Sequence, residues 1–191
     1  MKRIFAVLRL LCSVFPYYAK AEELKLAESA QSAILIEAST GEVLFEKNVH
    51  EKKFPASMTK MMSMLIILES IDKGIIKWDE MVTVSANASS MGGSQILLET
   101  NEQMSVSDLF KGIAVASGND AVVALAEKIA GTEDMFVDMM NKRAQELGLT
   151  NTNFKNCHGL HDANHYSSAY DISIIARELS LIHISEPTRP Y

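Results

Sequence analysis

The sequence is poor in cysteine, with two in 191 residues. Cys12 lies in an apolar N-terminal run that we interpret as a cleaved export signal, so the mature chain keeps only Cys157. A single cysteine excludes an intrachain disulfide, and the fold must be stabilised by its core instead. A lone cysteine of this kind is more often a small buried apolar residue than a catalyst, and we predict that role for Cys157.

Basic residues are also few, and no block of them occurs beyond the first residues. The chain has 18 Lys and Arg against 24 Asp and Glu, a formal net charge of -6, and 48% of its residues are hydrophobic. Nucleic acids and anionic membranes attract basic patches, so neither is expected as the main partner of the folded part. The composition fits one globular domain or slightly more.

The N-terminal apolar run is too short to cross a membrane. It covers residues 10–18, whereas a spanning helix needs roughly 20 apolar residues. Basic residues precede the run and small residues follow it, an order typical of a secretory signal peptide. We therefore predict a signal peptide over residues 1–21 and an exported protein, with an uncleaved anchor as the alternative.

The pattern of apolar residues predicts an α+β fold, in which two strands are followed by a mostly helical body. Residues 33–38 and 42–47 are strand-like and flank Ser39-Thr40-Gly41, whose glycine suits a hairpin turn. Two short strands are predicted at 81–84 and 95–98. Helices are predicted over residues 58–72, 105–115, 121–130, 135–147 and 170–179.

The first predicted helix is apolar nearly all round, which indicates burial on most sides. It carries Ser57 and Lys60, which lie three positions apart and therefore on one helix face. A serine nucleophile and its lysine base need this geometry for acylation. Ser57 stands at the helix start, where the helix dipole and free N–H groups stabilise a developing oxyanion. The same dipole and the apolar surroundings favour a neutral Lys60 near pH 7.

Ser-x-x-Lys alone is a weak signal, because Ser70 and Lys73 form a second copy. That copy lies at the end of the helix, where the carbonyl groups would oppose an oxyanion. Ser70 and Lys73 are therefore predicted to be solvated surface residues.

A second candidate element is Ser117-Gly118-Asn119, which lies between two predicted helices. The Ser117 hydroxyl could pass a proton between Lys60 and the leaving amine, and the Asn119 amide could bind the peptide group of the substrate and hold Lys60. The alternative is a helix-capping serine in a turn, and Ser85-Ala86-Asn87 has the same pattern. These residues alone do not decide between the two roles.

Together these motifs resemble the S-x-x-K and S-x-N motifs of the active-site serine penicillin-recognising enzymes. Within that group the chain is similar to the low-molecular-mass D-alanyl-D-alanine carboxypeptidases of the peptidase S11 type, over roughly residues 32–179. The resemblance selects Ser117 and Asn119, rather than the copy at 85–87, as the second motif. The matching segments are PASMTKMM at 55–62, ASGNDA at 116–121, MN at 140–141, ELG at 146–148, HGL at 158–160 and YSSAYD at 166–171.

The resemblance implies a β-lactamase/transpeptidase-like fold, with a helical subdomain and part of an antiparallel sheet. It implies that Ser57, Lys60 and Ser117 are catalytic and that Asn119 binds substrate, the peptidoglycan stem pentapeptide, whose terminal D-alanine is removed through an acyl-serine intermediate. β-Lactam antibiotics would acylate the same serine, and neither a metal nor an organic cofactor is implied. The enzyme would act in the periplasm or on the outer face of a bacterial membrane, with peripheral membrane association in a full-length parent.

The family's third motif, K-T-G, is absent from the 191 residues. The later strands of the family's sheet are missing with it, and residues 180–191 do not resemble the family. We therefore predict a C-terminally truncated chain, with a partial catalytic domain over 22–179 and a foreign tail over 180–191. Unpaired strands and an uncovered helical face predict poor solubility and negligible activity for this chain by itself.

Two alternatives stay open on the sequence, and a third is excluded. A non-catalytic peptidoglycan-binding remnant would be consistent with the missing K-T-G. A metal site using His158, His161 and His165 is less favoured, because Gly159 and the loop context prevent a regular presentation of ligands. A class A β-lactamase shares S-x-x-K, but its deacylating glutamate in an E-x-x-L-N setting has no counterpart here.

Overall fold

The structure, a computed structural model, describes residues 26–184 and confirms the α+β class. The predicted signal peptide lies outside the described residues. The strands are β1 (Ala33–Ile36), β2 (Val43–Lys47), β3 (Met81–Thr83) and β4 (Gln103–Ser105). The helices are α1 (Thr59–Asp72), α2 (Ala86–Ser89), α3 (Val106–Ala116), α4 (Asn119–Ala130), α5 (Glu133–Glu146) and α6 (Ala169–Ile184), and a 3₁₀ turn over Ala56–Met58 leads into α1.

Each pair of strands forms its own small antiparallel sheet. β1 pairs with β2, so that Leu35 lies opposite Phe45, which confirms the predicted hairpin. β3 pairs with β4, and Val82 lies opposite Met104. The first hairpin carries exposed apolar side chains, since 48% of Leu35 and 58% of Leu44 are accessible to solvent. Such exposure favours association, and the poor solubility of the chain stays a prediction.

The prediction of a strand at residues 95–98 is wrong, because β3 pairs with β4 instead. The N–H groups of Ile96 and Leu98, which a strand would use, donate to the carboxylate of Asp120 at 3.0–3.1 Å. Leu97 between them has φ +62°, a left-handed conformation that strands do not adopt. A side chain distant in sequence therefore holds this segment as a loop, against its local apolar pattern.

Helix α1 forms the centre of the core and is buried nearly all round, as predicted. Met62, Leu65 and Ile67 are fully buried. Helices α4, α5 and α6 pack around α1. Cys157 also lies in this core, fully buried, which confirms its predicted role as a small apolar residue.

The second Ser-x-x-Lys copy lies at the C-terminal end of α1. The prediction for Ser70 is wrong, because only 2% of the residue is accessible to solvent. Its hydroxyl donates to the carbonyl of Ile66 at 2.7 Å, and a helix offers such a carbonyl to any serine one turn further on. Lys73 is exposed as predicted and lies 3.6 Å from Glu69.

Capping serines set the start of two helices. Ser105 Oγ accepts a hydrogen bond from the N–H of Asp108 at 3.0 Å, which confirms the predicted start of α3. Ser85 Oγ accepts from the N–H of Ala88 at 2.9 Å and caps α2 in the same way. The earlier copy of the Ser-x-Asn pattern is therefore a helix cap.

Helix α6 continues past residue 179 as far as Ile184, into the segment predicted to be foreign. The origin of residues 180–191 and the boundary at 179 stay predictions. Among residues 26–184, no helix has the combination of length and apolar character that crossing a membrane requires.

Candidate active site

Ser57 lies in the 3₁₀ turn that leads into α1 and is exposed to solvent. One helical turn further on, Lys60 is buried, with 2% of the residue accessible. Lys60 Nζ lies 3.3 Å from Ser57 Oγ, within hydrogen-bond reach. The helical spacing therefore brings an exposed hydroxyl against a buried amine, as the sequence predicts.

The amine of Lys60 has a further partner, the main-chain carbonyl of His158 at 2.8 Å. Burial lowers the pKa of Lys60 from 10.5 to about 8, and the nearby Cys157 thiol opposes this shift. With that pKa about a tenth of the amine is neutral at pH 7 and about half at pH 8. The direction of this pKa shift agrees with the prediction that the surroundings favour neutral Lys60. The amine is half neutral at about pH 8, however, rather than at pH 7.

The loop formed by residues 157–160 packs on the start of α1. The hydroxyl of Ser63 donates to the carbonyl of Cys157 at 2.6 Å. Gly159 lies so close to the 3₁₀ turn that a Cβ at this position would overlap the carbonyl of Ala56, and its φ is +95°. Only glycine fits such a position. The 157–160 loop therefore fixes both the base and the residue before the nucleophile.

The histidines of this region have separate partners. His158 accepts the N–H of Leu160 through Nδ1 at 3.1 Å. His161 packs edge-on against Phe54, with ring centroids 4.6 Å apart. Among residues 26–184, no group of three His, Cys, Asp or Glu side chains is placed to hold a metal ion. The metal-binding alternative, which also required His165, therefore has no support.

His165 is buried beneath the start of α1. Its Nε2 lies 2.8 Å from Thr59 Oγ1, and its Nδ1 accepts the N–H of Lys155 at 3.1 Å. Burial lowers the pKa of His165 from 6.5 to about 4, with a smaller contribution in the same direction from His158. The ring is therefore neutral at neutral pH, with its proton on Nε2.

Because His165 is buried and neutral, we expect the free energy of unfolding to decrease in acid. Between pH 6.5 and about 4 the unfolded chain binds more protons than the folded chain, so the free energy of unfolding decreases as the pH falls through this window. The variant His165→Asn does not titrate and is expected to lose part of this slope. Thermal unfolding at several pH values within the window measures the slope, and an equal slope in both proteins would contradict the assignment.

Ser117 ends α3 in a left-handed conformation with φ +57°. Its hydroxyl is buried and has no hydrogen-bond partner within residues 26–184. Leaving such a group unpaired inside the protein costs about 1–3 kcal/mol. Ser117 is the C-cap of α3 through its main-chain N–H, whereas its hydroxyl makes no capping hydrogen bond and the N-cap of α4 is Gly118. Its predicted role as a proton relay to Lys60 stays a prediction.

Asn119 is the first residue of α4 and is 3% accessible. Its Nδ2 donates to the carbonyl of Gly92 at 2.6 Å, whereas its buried Oδ1 has no partner in the described part of the chain. A Cβ at Gly93 would lie 2.8 Å from this Nδ2 and 3.5 Å from the side chain of Leu160. Gly93 therefore lies close both to the Asn119 amide and to Leu160 of the 157–160 loop.

Two contacts of the site could not be predicted from the sequence: the carbonyl of His158 on the base, and the carbonyl of Gly92 on Asn119. Every residue has a main-chain carbonyl, so the sequence does not show which carbonyl binds a given side chain. The sequence signal that marks these two loops is a glycine in each, because Gly159 and Gly93 both have positive φ and no room for a Cβ.

The chain is similar in sequence to bacterial D-alanyl-D-alanine carboxypeptidases. D-alanyl-D-alanine carboxypeptidase DacF of Bacillus subtilis is 59% identical over 155 residues, covering 81% of this chain and 40% of that protein. D-alanyl-D-alanine carboxypeptidase DacA of Haemophilus influenzae is 42% identical over 154 residues, covering 79% of this chain and 39% of that protein. The chain thus spans about two fifths of the length of these relatives.

Solved structures show the same fold. Penicillin-binding protein 5 from Haemophilus influenzae superposes with a TM-score of 0.77 at 42% identity, over 80% of this chain and 45% of that chain. Penicillin-binding protein D2 from Listeria monocytogenes, solved in its ampicillin-bound form, gives 0.72 at 27% identity, over 82% of this chain and 64% of that chain. The predicted β-lactamase/transpeptidase-like fold is confirmed.

The family model for peptidase S11, described as D-alanyl-D-alanine carboxypeptidase, matches residues 19–188. This match covers well over half of the chain and includes the exposed serine, its buried lysine and the 157–160 loop. The chain therefore belongs to the D-alanyl-D-alanine carboxypeptidase family, peptidase S11.

Proposed function

We propose that the protein is a serine D-alanyl-D-alanine carboxypeptidase that removes the terminal D-alanine of peptidoglycan stem pentapeptides. One observation carries the proposal: Lys60, buried and with its pKa lowered to about 8, lies 3.3 Å from the hydroxyl of the exposed Ser57. A lysine that loses its proton near neutral pH can act as a general base, whereas an ordinary surface lysine cannot.

In the proposed reaction, neutral Lys60 takes the proton of Ser57 Oγ as this oxygen bonds to the carbonyl carbon of the penultimate D-alanine. The N–H of Ser57 donates to the oxygen that becomes negative. The peptide bond then breaks, and the D-alanine amine leaves with the proton, which Ser117 relays from Lys60. Asn119 binds the peptide group of the substrate. Water hydrolyses the acyl-serine and restores the free hydroxyl.

β-Lactam antibiotics are proposed to acylate Ser57, and the ampicillin-bound form of the Listeria relative supports this partner. We also propose that the protein is exported, with residues 1–21 as its signal peptide, and that a full-length parent associates peripherally with the membrane. The 191-residue chain contains no K-T-G, and we propose that its activity is low by itself. Binding of the pentapeptide without turnover, even when the chain is joined to the C-terminal part of its Bacillus subtilis relative, would identify it as a non-catalytic peptidoglycan-binding remnant instead.

A fluorescent penicillin tests the proposal. This chain, joined to the C-terminal part of the Bacillus subtilis relative, is expected to carry the label on Ser57, located by mass spectrometry of its peptides. The labelling rate is expected to increase with pH, with a midpoint at about 8, because the neutral amine is the base. The variant Ser57→Ala should lose the label, and Ser70→Ala, in the second Ser-x-x-Lys copy, should keep it. Labelling at another residue, or none, would contradict the proposal.

A further inference from the structure

Glu133 has no part in the proposed reaction, yet its side chain turns inward at the start of α5. This side chain is 19% accessible to solvent, whereas the neighbouring Asp134 is exposed. The helix does not need Glu133 as a cap, because Thr132 Oγ1 already accepts the N–H of Met135 at 3.2 Å. Placing a carboxylate mostly out of water is costly unless donors inside the protein compensate for it. The carboxylate is therefore expected to have such donors.

The donors come from the 157–160 loop. Glu133 Oε1 accepts the main-chain N–H of Cys157 at 3.0 Å and lies 3.4 Å from His158 Nε2. His158 Nδ1 accepts the N–H of Leu160, so a neutral ring carries its proton on Nε2, on the side of the carboxylate. The ring is neutral at neutral pH, because burial lowers the pKa of His158 below its usual 6.5. A single oxygen of Glu133 thus contacts two consecutive residues of the loop.

The carbonyls of the same two residues bond α1. Cys157 accepts from the hydroxyl of Ser63 at 2.6 Å, and His158 accepts from the amine of Lys60 at 2.8 Å. The two residues therefore connect the start of α5 to α1, with donors towards α5 and acceptors towards α1. A displaced carbonyl would leave the buried amine without this partner. The same amine lies 3.3 Å from Ser57 Oγ, so the position of the loop affects the distance between base and nucleophile.

We propose that Glu133 is a positioning residue for the base: its Oε1 holds the main chain of residues 157–158 so that the carbonyl of His158 lies against the buried amine of Lys60. The inference rests on the proposed function and deepens it, because it adds a residue of α5 to the groups that place the base. Glu133 acts through the loop and is not itself a reacting group. The loop needs one oxygen at a fixed place, since both contacts are made by Oε1.

Two substitutions separate the place of this oxygen from its charge. Glu133→Gln loses the charge but keeps a carbonyl oxygen at the same distance from the main chain, so it can still accept from the loop. Glu133→Asp keeps the charge but is one methylene shorter, so its oxygens are withdrawn from the loop. Glu69→Gln is the matched control, because Glu69 also joins α1 to α5, by an ion pair with Arg143 at 2.8 Å near the other end of α1.

NMR titration of the Lys60 side chain in the 191-residue chain measures the effect on the base. Two titratable groups adjoin the amine. Burial raises the pKa of the Cys157 thiol well above its usual 9.0 and lowers that of His158, so of the three only the amine changes charge near pH 8. The wild type, Glu133→Gln and Glu69→Gln should titrate at about 8. Glu133→Asp should titrate at about 9 or higher, because a released loop admits water to the amine.

Hydrogen exchange at the N–H of Cys157 gives a second readout. It is expected to accelerate about 10-fold or more in Glu133→Asp and to stay within about threefold of the wild-type rate in Glu133→Gln. A merely structural Glu133 would leave the Lys60 titration at about 8 in both variants, whatever the exchange rates. That result would overturn the inference. A raised pKa of Lys60 in Glu133→Gln but not in Glu133→Asp would also overturn it, because the charge and not the place of the oxygen would then matter.

The titration does not depend on the reaction, so the inference and the proposed function can fail separately. If penicillin does not label Ser57 in the chain joined to its relative, the proposed function loses its support, while the Lys60 titration still decides on Glu133. Labelling at Ser57 with an unchanged titration in Glu133→Asp would overturn the inference alone. If Glu133→Asp does not fold, Glu133→Gln still tests the inference: a Lys60 pKa of about 9 or higher in that variant would contradict it.

Discussion

Replacing Lys60 by methionine is expected to lower the rate of penicillin acylation at Ser57 by about 10²- to 10⁴-fold, the usual contribution of a general base. Methionine retains the apolar stem of the side chain but cannot accept a proton. Its sulfur also cannot donate to the His158 carbonyl, which the amine contacts at 2.8 Å. Stopped-flow labelling with fluorescent penicillin, in the chain joined to the C-terminal part of its Bacillus subtilis relative, measures the rate.

Lys73→Met is the matched control, because Lys73 lies at the other end of the same helix with an exposed side chain. It should label at the wild-type rate. A stability measurement adds a second criterion: since the pKa of Lys60 is lowered from 10.5 to about 8, the wild-type protein should gain stability relative to Lys60→Met as the pH rises between those values. Retention of the wild-type rate in Lys60→Met would refute a lysine base.

Replacing Gly159 by alanine is expected to destabilise the fold by about 3 kcal/mol or more, through left-handed strain and a collision with the main chain. The added Cβ would overlap the carbonyl of Ala56, and main-chain atoms cannot move aside as a flexible side chain can. The 157–160 loop must shift, which moves the His158 carbonyl away from Lys60. Penicillin labelling should therefore decrease together with stability.

Gly148→Ala separates the strain from the collision. Gly148 has φ +72°, but no heavy atom lies within 4 Å of the position where its Cβ would be. This variant should lose only the roughly 1–2 kcal/mol that a left-handed alanine costs. Urea unfolding of both variants gives the comparison, and equal losses would show that the 157–160 loop has room for a side chain.

The helices of this fold could be predicted from the sequence, because helix caps and apolar periodicity depend on residues only a few positions apart. Ser105 caps a helix through the N–H of Asp108, three residues away, and the apolar run of α1 predicts its own burial. The pairing of Ser57 with Lys60 follows from helical spacing in the same way. The position of Ser57 at the start of the helix, where the dipole favours an oxyanion, then distinguishes this pair from the copy at the end of the helix.

The errors of prediction arise where distant residues decide the local structure. Ile96 and Leu98 look like part of a strand, but the Asp120 carboxylate takes their N–H groups, and no local pattern shows this. Ser70 looks like a surface residue, but the packing of α1 buries it and a carbonyl of its own helix satisfies its hydroxyl. The contact between the His158 carbonyl and Lys60 could not be predicted either, because a main-chain carbonyl is present at every residue.

The contact between the amine and the His158 carbonyl has a consequence for how activity would decline in damaged variants. A carbonyl oxygen has no proton to lose, so this contact itself does not titrate, and the exclusion of water makes the largest contribution to the lowered pKa of Lys60. Substitutions that loosen the surrounding packing would admit water and return the amine towards its charged form. Such variants would keep their maximal turnover but reach it only at higher pH. The midpoint of the pH profile would therefore measure how completely water is excluded from the surroundings of the Lys60 amine.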